Sequence, residues 1–275
     1  MWFDIRYAVR TLMRNPGFAV VAILTLALGI GANTAIFTVF DGVLLRPLAY
    51  PEPDRLVAVQ EVVPKWARFG PALPVAAWHF REWRKQNRSF DGLALVGGLG
   101  FTLTSGGDPE LVNAQRVSAN LFPLLGIQAS LGRTFTEAED QPGSDRVVVL
   151  SDRLWARRFH HDPAIVGSKI LLNGAPYQVV GVLPPDARIP TESQLEGSPF
   201  VTSAASLSNA YDAAAELWKP FAIADSDLAI MAEFDFGCLA RLQRGVSISR
   251  ATADLNVIQS AIAARAPPSP ACKNK

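Results

Sequence analysis

Cysteine is nearly absent from this chain: only Cys238 and Cys272 occur in 275 residues, too few for a disulfide scaffold. An excess of either charge is absent too. Lys and Arg number 26 against 25 Asp and Glu, so the electrostatic footprint of a nucleic-acid or other polyanion partner is missing. Histidine occurs three times, and H-E-x-x-H, G-x-S-x-G and G-x-x-x-x-G-K-[ST] do not occur. Gly167-Ser168-Lys169 lacks the upstream glycine and the following hydroxyl of a Walker loop, and Gly97-Gly98-Leu99-Gly100 is no G-x-G-x-x-G. His160-His161 precede Asp162-Pro163 on a turn where neighbouring side chains diverge, with no third ligand suggested. No catalytic centre, cofactor or metal is implied. With 49% hydrophobic and 19% charged residues, the chain is neither disordered, collagenous nor coiled coil as a whole. It is long enough for one large domain or two small ones.

One further absence decides the class. Between Arg14 and Asp41 lie 26 residues without a charge. Gly17 to Phe40 as a helix would cover roughly 36 Å, enough to cross a hydrocarbon core of about 30 Å with tilt. A cleaved signal peptide is the alternative, but its apolar stretch is normally shorter. Arg6, Arg10 and Arg14 precede the run against one acid, Asp4, and Asp41 to Val59 carries a net −1. The positive-inside rule therefore predicts a cytoplasmic N-terminus and an extracytoplasmic remainder. Residues 1–16 read as an amphipathic flank on the inner leaflet, or equally as a plain charged one. Ala27, Gly31 and Ala35 recur every fourth residue, a small-residue stripe along which another membrane helix could pack.

Beyond the apolar run, Arg55–Val63 alternates as a strand and Val75–Asn87 has helical spacing, with His79 on its polar side. Ser89–Thr104 and Leu111–Val117 are β-prone around the Gly106-Gly107-Asp108-Pro109 turn. Ser118 is placed to cap a short helix through Leu121, Phe122, Leu124 and Leu125 that Gly126 ends. Thr136 and Glu139 have capping-box spacing, with Glu139-Asp140 at a helix start. Arg146–Leu150 is a short buried strand, and Ser151 caps a helix carrying Leu154, Trp155 and Phe159. Asn173-Gly174 between two apolar runs predicts a tight β-hairpin. Asp186–Met231 reads as a long loop with one helix near Tyr211–Leu217. Glu233–Gln243 alternates as a half-buried strand with Cys238 inward. Ser249 then caps a helix whose stripe is Leu255, Ile258 and Ile262, stopped by Pro267-Pro268. Cys238 and Cys272 could pair only if the core strand met the tail.

The pattern RYAVRTLMRNPGFAVVAILTLALGIGANTAIFTVFDGVLLRPLAYPEPDRLV at the start, with NRSFDGL (87–93), RVSANLFPLLG (116–126), LGRTFT (131–136), VVLS (148–151), DPAIVG (162–167), GVLPP (181–185) and ARLQRGVS (240–247), resembles MacB/FtsX-like ABC transporter permeases. The duplicated orphan permeases of acidobacteria are especially similar.

This resemblance implies an N-terminal transmembrane helix (17–40) and an α+β MacB-like periplasmic core domain (41–267). Within that domain, 55–118 and 232–267 form a strand–helix part, 119–231 an inserted lobe, and 268–275 a disordered tail. It implies a bacterial inner-membrane protein without catalysis of its own, working with a separate cytoplasmic ABC ATPase and further permease helices or a second copy. The family places three more transmembrane helices after this domain, and the cytoplasmic coupling element lies among them, so no residue here takes that role. A single-pass anchored binding or adaptor module is the alternative.

Overall fold

In the computed structural model the described residues are 16–40, 50–63, 72–191, 194–195, 214–229 and 234–265. The chain divides into two compact units, Met1–Ala49 and Tyr50–Lys275. In the first, helix α1 is Pro16–Phe40, 25 residues long. Proline at its first position suits an N-terminus, where the missing N–H would have no partner anyway. Thr25 satisfies its hydroxyl within the helix, donating to the Val21 carbonyl at 2.8 Å. Among residues described with their side chains, no helix is long and apolar enough to cross a membrane; the side chains of residues 18, 19, 22, 23 and 35–40 lie outside that set.

The second unit is the expected α+β architecture. Its strands are β1 (Leu56–Val59), β2 (Phe90–Leu103), β3 (Glu110–Val117), β4 (Leu131–Gly132), β5 (Val147–Leu150), β6 (Lys169–Leu172), β7 (Ala175–Val182), β8 (Leu217–Pro220) and β9 (Gly237–Leu242). Helices α2 (Ala77–Gln86), α3 (Leu121–Leu125), α4 (Asp152–Phe159), α5 (Asp225–Ala229) and α6 (Ile248–Arg265) complete it. One sheet runs β1-β9-β2-β3-β8-β5-β7-β4, with β6 pairing both β2 and β7. The β6–β2 pairing at Leu103 and Leu172 closes a circuit β2-β3-β8-β5-β7-β6. Each of its six strands contributes to one apolar cluster, which includes Leu103, Val112, Leu217, Val148, Val179 and Ile170. Closing pairings into a ring satisfies edge N–H and C=O groups that would otherwise need water.

Outside that ring, β1, β9 and the start of β2 have helices on both faces. Cys238, Ala240 and Leu242 pack with Phe80 and Trp83 of α2 and Ile258 and Ile262 of α6. Leu239 faces the other way, into the cluster with Leu121, Phe122 and Leu125 of α3. β9 is thus buried on both faces, not half-buried as its alternation suggests. Cys238 is fully buried as expected, and desolvation pushes its thiol far above the ordinary range.

The Asn173-Gly174 hairpin forms, with φ of 48° and 76° at the two turn residues. Asn173 also ties the turn to β2, its side chain accepting the Thr102 N–H at 2.8 Å. Ser151 caps α4 by accepting the Leu154 N–H at 3.1 Å.

Other expectations are corrected. Leu217 begins strand β8 rather than ending a helix, because Leu217–Pro220 is drawn between β3 and β5; Tyr211–Ala213 lies outside the described residues. Helix α5 also falls in the stretch read as loop. Ser118 caps nothing: its hydroxyl accepts the Leu95 N–H at 2.9 Å, and Asn120 occupies the α3 N-cap. Ser247, not Ser249, holds the start of α6, where its hydroxyl accepts the Arg250 N–H at 3.3 Å. Thr136 and Glu139 form only half of a capping box, and around a turn rather than a helix: the Glu139 carboxylate accepts both the Thr136 N–H and its hydroxyl at 2.9 Å, while the Glu139 N–H donates to the Thr136 carbonyl at 3.0 Å instead of to the hydroxyl. Arg133 diverts Glu139 with two bonds of 2.8 and 2.7 Å.

Candidate functional site: the collar around Glu52

The first residues of the folded unit are gripped from several elements at once. Pro51 rests on Gly126, the C-cap of α3; at φ 71° and with a Cβ that would lie 2.5 Å from the Pro51 ring, only glycine fits. The Glu52 carboxylate meets Arg55 at 2.5 Å and Arg244 at 2.9 Å. Desolvation pushes the Glu52 carboxyl upward, yet Arg244 and Arg55 together hold it below its ordinary value. Arg55 also pairs with Asp91 at the start of β2 and donates through Nε to the Leu242 carbonyl at 2.8 Å.

Arg241 completes the collar. Its Nη2 donates to the Leu124 carbonyl at 2.6 Å and its Nη1 to the Glu52 carbonyl at 3.2 Å. Desolvation, with Arg55 nearby, pulls its guanidinium below the ordinary arginine value. Tyr50 donates from its hydroxyl to the Arg188 carbonyl at 3.0 Å. Exposed ion pairs alone contribute little. The geometry here differs because planar guanidinium forks are aimed at backbone carbonyls, which fixes position as well as charge. Such an arrangement performs no bond chemistry; it links residues 50–55 rigidly to α3, the start of β2 and the end of β9.

Two buried carboxylates form further junctions. Asp140 accepts the Ala119 N–H at 3.0 Å and the Ala222 N–H at 2.7 Å, pinning the loops that follow the parallel strands β3 and β8. Ala222 is held at φ 47°, a conformation that costs a non-glycine residue free energy. Glu61 accepts the Ala76 N–H at 2.9 Å and meets His79 Nδ1 at 2.6 Å. His79 is only 8% exposed, contrary to the expected solvent-facing position, because Trp83, Phe234 and Gln259 close around it.

Of the residues singled out by sequence, Ala27 and Gly31 lie exposed on α1, and a Cβ at Gly31 would meet nothing within 4 Å. Ala35 follows on the same helix with its side chain outside the described residues, as are Arg6, Arg10, Arg14, Cys272 and the tail. His161 lies 3.5 Å from Asp152 and edge-on to Trp155, and no group that could hold a metal occurs among the described residues. The collar itself was missed. Its signal, arginines and acids flanking Pro51 and Pro53, is indistinguishable from a solvated surface until β9 is placed beside β1.

Among the described residues the folded unit is a mixed sheet with helices on both faces of its β1-β9-β2 end, and the family match places it in a class, the periplasmic domains of ABC-type transporter permeases. The chain belongs to the MacB-like periplasmic core domain family, whose pattern matches residues 19–257. Among solved structures, the extracellular domain of the noncanonic ABC-type transporter YknZ from Gram-positive bacteria is 12% identical, with a TM-score of 0.50, over 76% of this chain and 95% of that one. The periplasmic region of MacB from Actinobacillus actinomycetemcomitans is 14% identical, with a TM-score of 0.50, over 76% of this chain and 84% of that one. At such identities the likeness speaks for the fold. No curated protein matches the chain.

Proposed function

We propose that this chain is the N-terminal portion of an ABC transporter permease subunit that carries an ATP-driven conformational change into an extracytoplasmic domain. In this reading α1 spans the inner membrane with Arg6, Arg10 and Arg14 on the cytoplasmic side. Its Ala27, Gly31 and Ala35 stripe packs against further permease helices. A separate ATPase supplies the energy, and the chain itself catalyses nothing. The collar receives displacement of the membrane segment and passes it to β9, β2 and α3, and through the shared sheet to the strands that the inserted lobe, 119–231, contributes. The observation that carries the proposal is that the family match begins at residue 19, inside α1, so that helix and domain belong to one family unit.

Topology is the direct test. In a Cys272→Ser background, Cys238 is buried and unreactive. A cysteine at the exposed Lys169→Cys position is expected to react with a membrane-impermeant maleimide in intact spheroplasts. A Thr11→Cys site is expected to react only after permeabilisation. The reverse pattern, or protection of both sites, would contradict the proposal.

A further inference from the structure

Helix α6 is attached lightly. Among its described side chains, Ala251, Ile258 and Ile262 are buried, with Leu255 packed against the same cluster. Ile248 and Val257 stand 64% and 71% exposed. A cleft of about 330 Å³, lined in part by Val57, Val59, Trp83, Leu255 and Gln259, runs between α6 and β1. Two polar ties supplement this packing. Asp254 accepts the Arg88 N–H at 2.9 Å, and Gln259, five residues further on, reaches the Glu61 junction.

The chemistry of its partners orients Gln259. Trp83 Nε1–H can only donate, so Gln259 presents Oε1 to it at 3.2 Å. Nε2 is thereby turned toward Glu61 Oε2 at 3.4 Å and the His79 ring nitrogens at 3.4 and 3.5 Å. Glu61 is 5% exposed, and as a carboxylate it only accepts, so His79 donates to it from Nδ1. One amide thus reads a donor at one end and acceptors at the other. Sliding α6 by a single residue, about 1.5 Å, loses both.

We propose that Gln259 is a polarity-keyed latch, and that α6 is an arm that opens as a unit about its Ser247 end when the latch is released. The inference rests on the geometry of Glu61, His79, Trp83 and Gln259 and is independent of the transport reading.

Hydrogen–deuterium exchange on the full chain in detergent tests it. Gln259→Glu sets a carboxylate against Glu61 and is expected to speed amide exchange across 251–265 by about tenfold or more, the worth of one to two lost hydrogen bonds. Exchange in β2, β3 and β9 stays unchanged. Adding Glu61→Gln inverts the polarity: the new amide donates to the new carboxylate, and the His79 tautomer switches to match. This double variant is expected to return α6 close to its native rate. Gln259→Leu, which keeps the apolar packing, gives the same selective loss and serves if the charged variant does not fold. Unchanged exchange in α6, loss spreading to β2 and β3, or failure of the double variant to restore protection would each overturn the latch.

Discussion

Asp140 shows how one buried carboxylate governs two loops. Desolvation raises its carboxyl above the ordinary value, more than the Ala222 and Ala119 N–H groups and the Arg84 charge lower it. With the folded value above the unfolded one, stability linked to this group is fully present below the ordinary carboxylate value and is lost as pH rises through the raised folded value. Asp140→Asn turns an NH2 group toward one of the backbone N–H donors and is expected to cost about 1–3 kcal/mol. It also removes the titration. The wild-type advantage over Asp140→Asn in urea midpoints should therefore shrink as pH is raised through the range just above ordinary carboxylates; an advantage growing with pH would contradict the assignment. Of the residues that matter, Cys238 was legible from strand alternation alone. Asp140, Glu61, His79 and Arg241 were not, since their partners lie far away in sequence: Ala222 for Asp140, Gln259 for Glu61 and His79, Leu124 for Arg241.

At the level of elements, what could be read depended on whether the signal was local. The Asn173-Gly174 turn, the Ser151 cap and the Gly126 stop carry their own geometry and appear where expected. Strand β8 carries no such mark. Leu217–Pro220 is a strand because it fits between β3 and β5, and only the assembled sheet supplies that slot. The same holds for the ring. Its closure depends on Leu103, fully buried where β2 meets both β3 and β6. Leu103→Ala should cost about 2–5 kcal/mol through lost burial and the cavity left behind. Because β6 joins β2 at that register, its amides should lose exchange protection before those of β1 and β9. A uniform loss across all strands would mean that the ring does not act as a unit.

For the molecule as a whole, the decisive contrast is between an uncharged helix of 25 residues and a folded unit with its own layered core. From Gly17 to Phe40 the sequence places twelve Leu, Ile, Val and Phe residues. At about −0.3 to −0.6 kcal/mol each, they favour insertion by about 4–7 kcal/mol before the cost of Asn33 and the threonines. Tyr50–Lys275, in contrast, builds an internal core among its described residues: Val75, Phe80, Leu95, Phe122 and Leu150 are all fully buried. The two units should therefore part company in a fractionation experiment. The full chain is expected to sediment with membranes and to resist carbonate extraction, requiring detergent for release. A fragment beginning at Tyr50 should remain in the supernatant and unfold cooperatively. If the full chain were released by carbonate as readily as that fragment, α1 would not be a membrane span, and a collar receiving motion from it would have nothing to transmit.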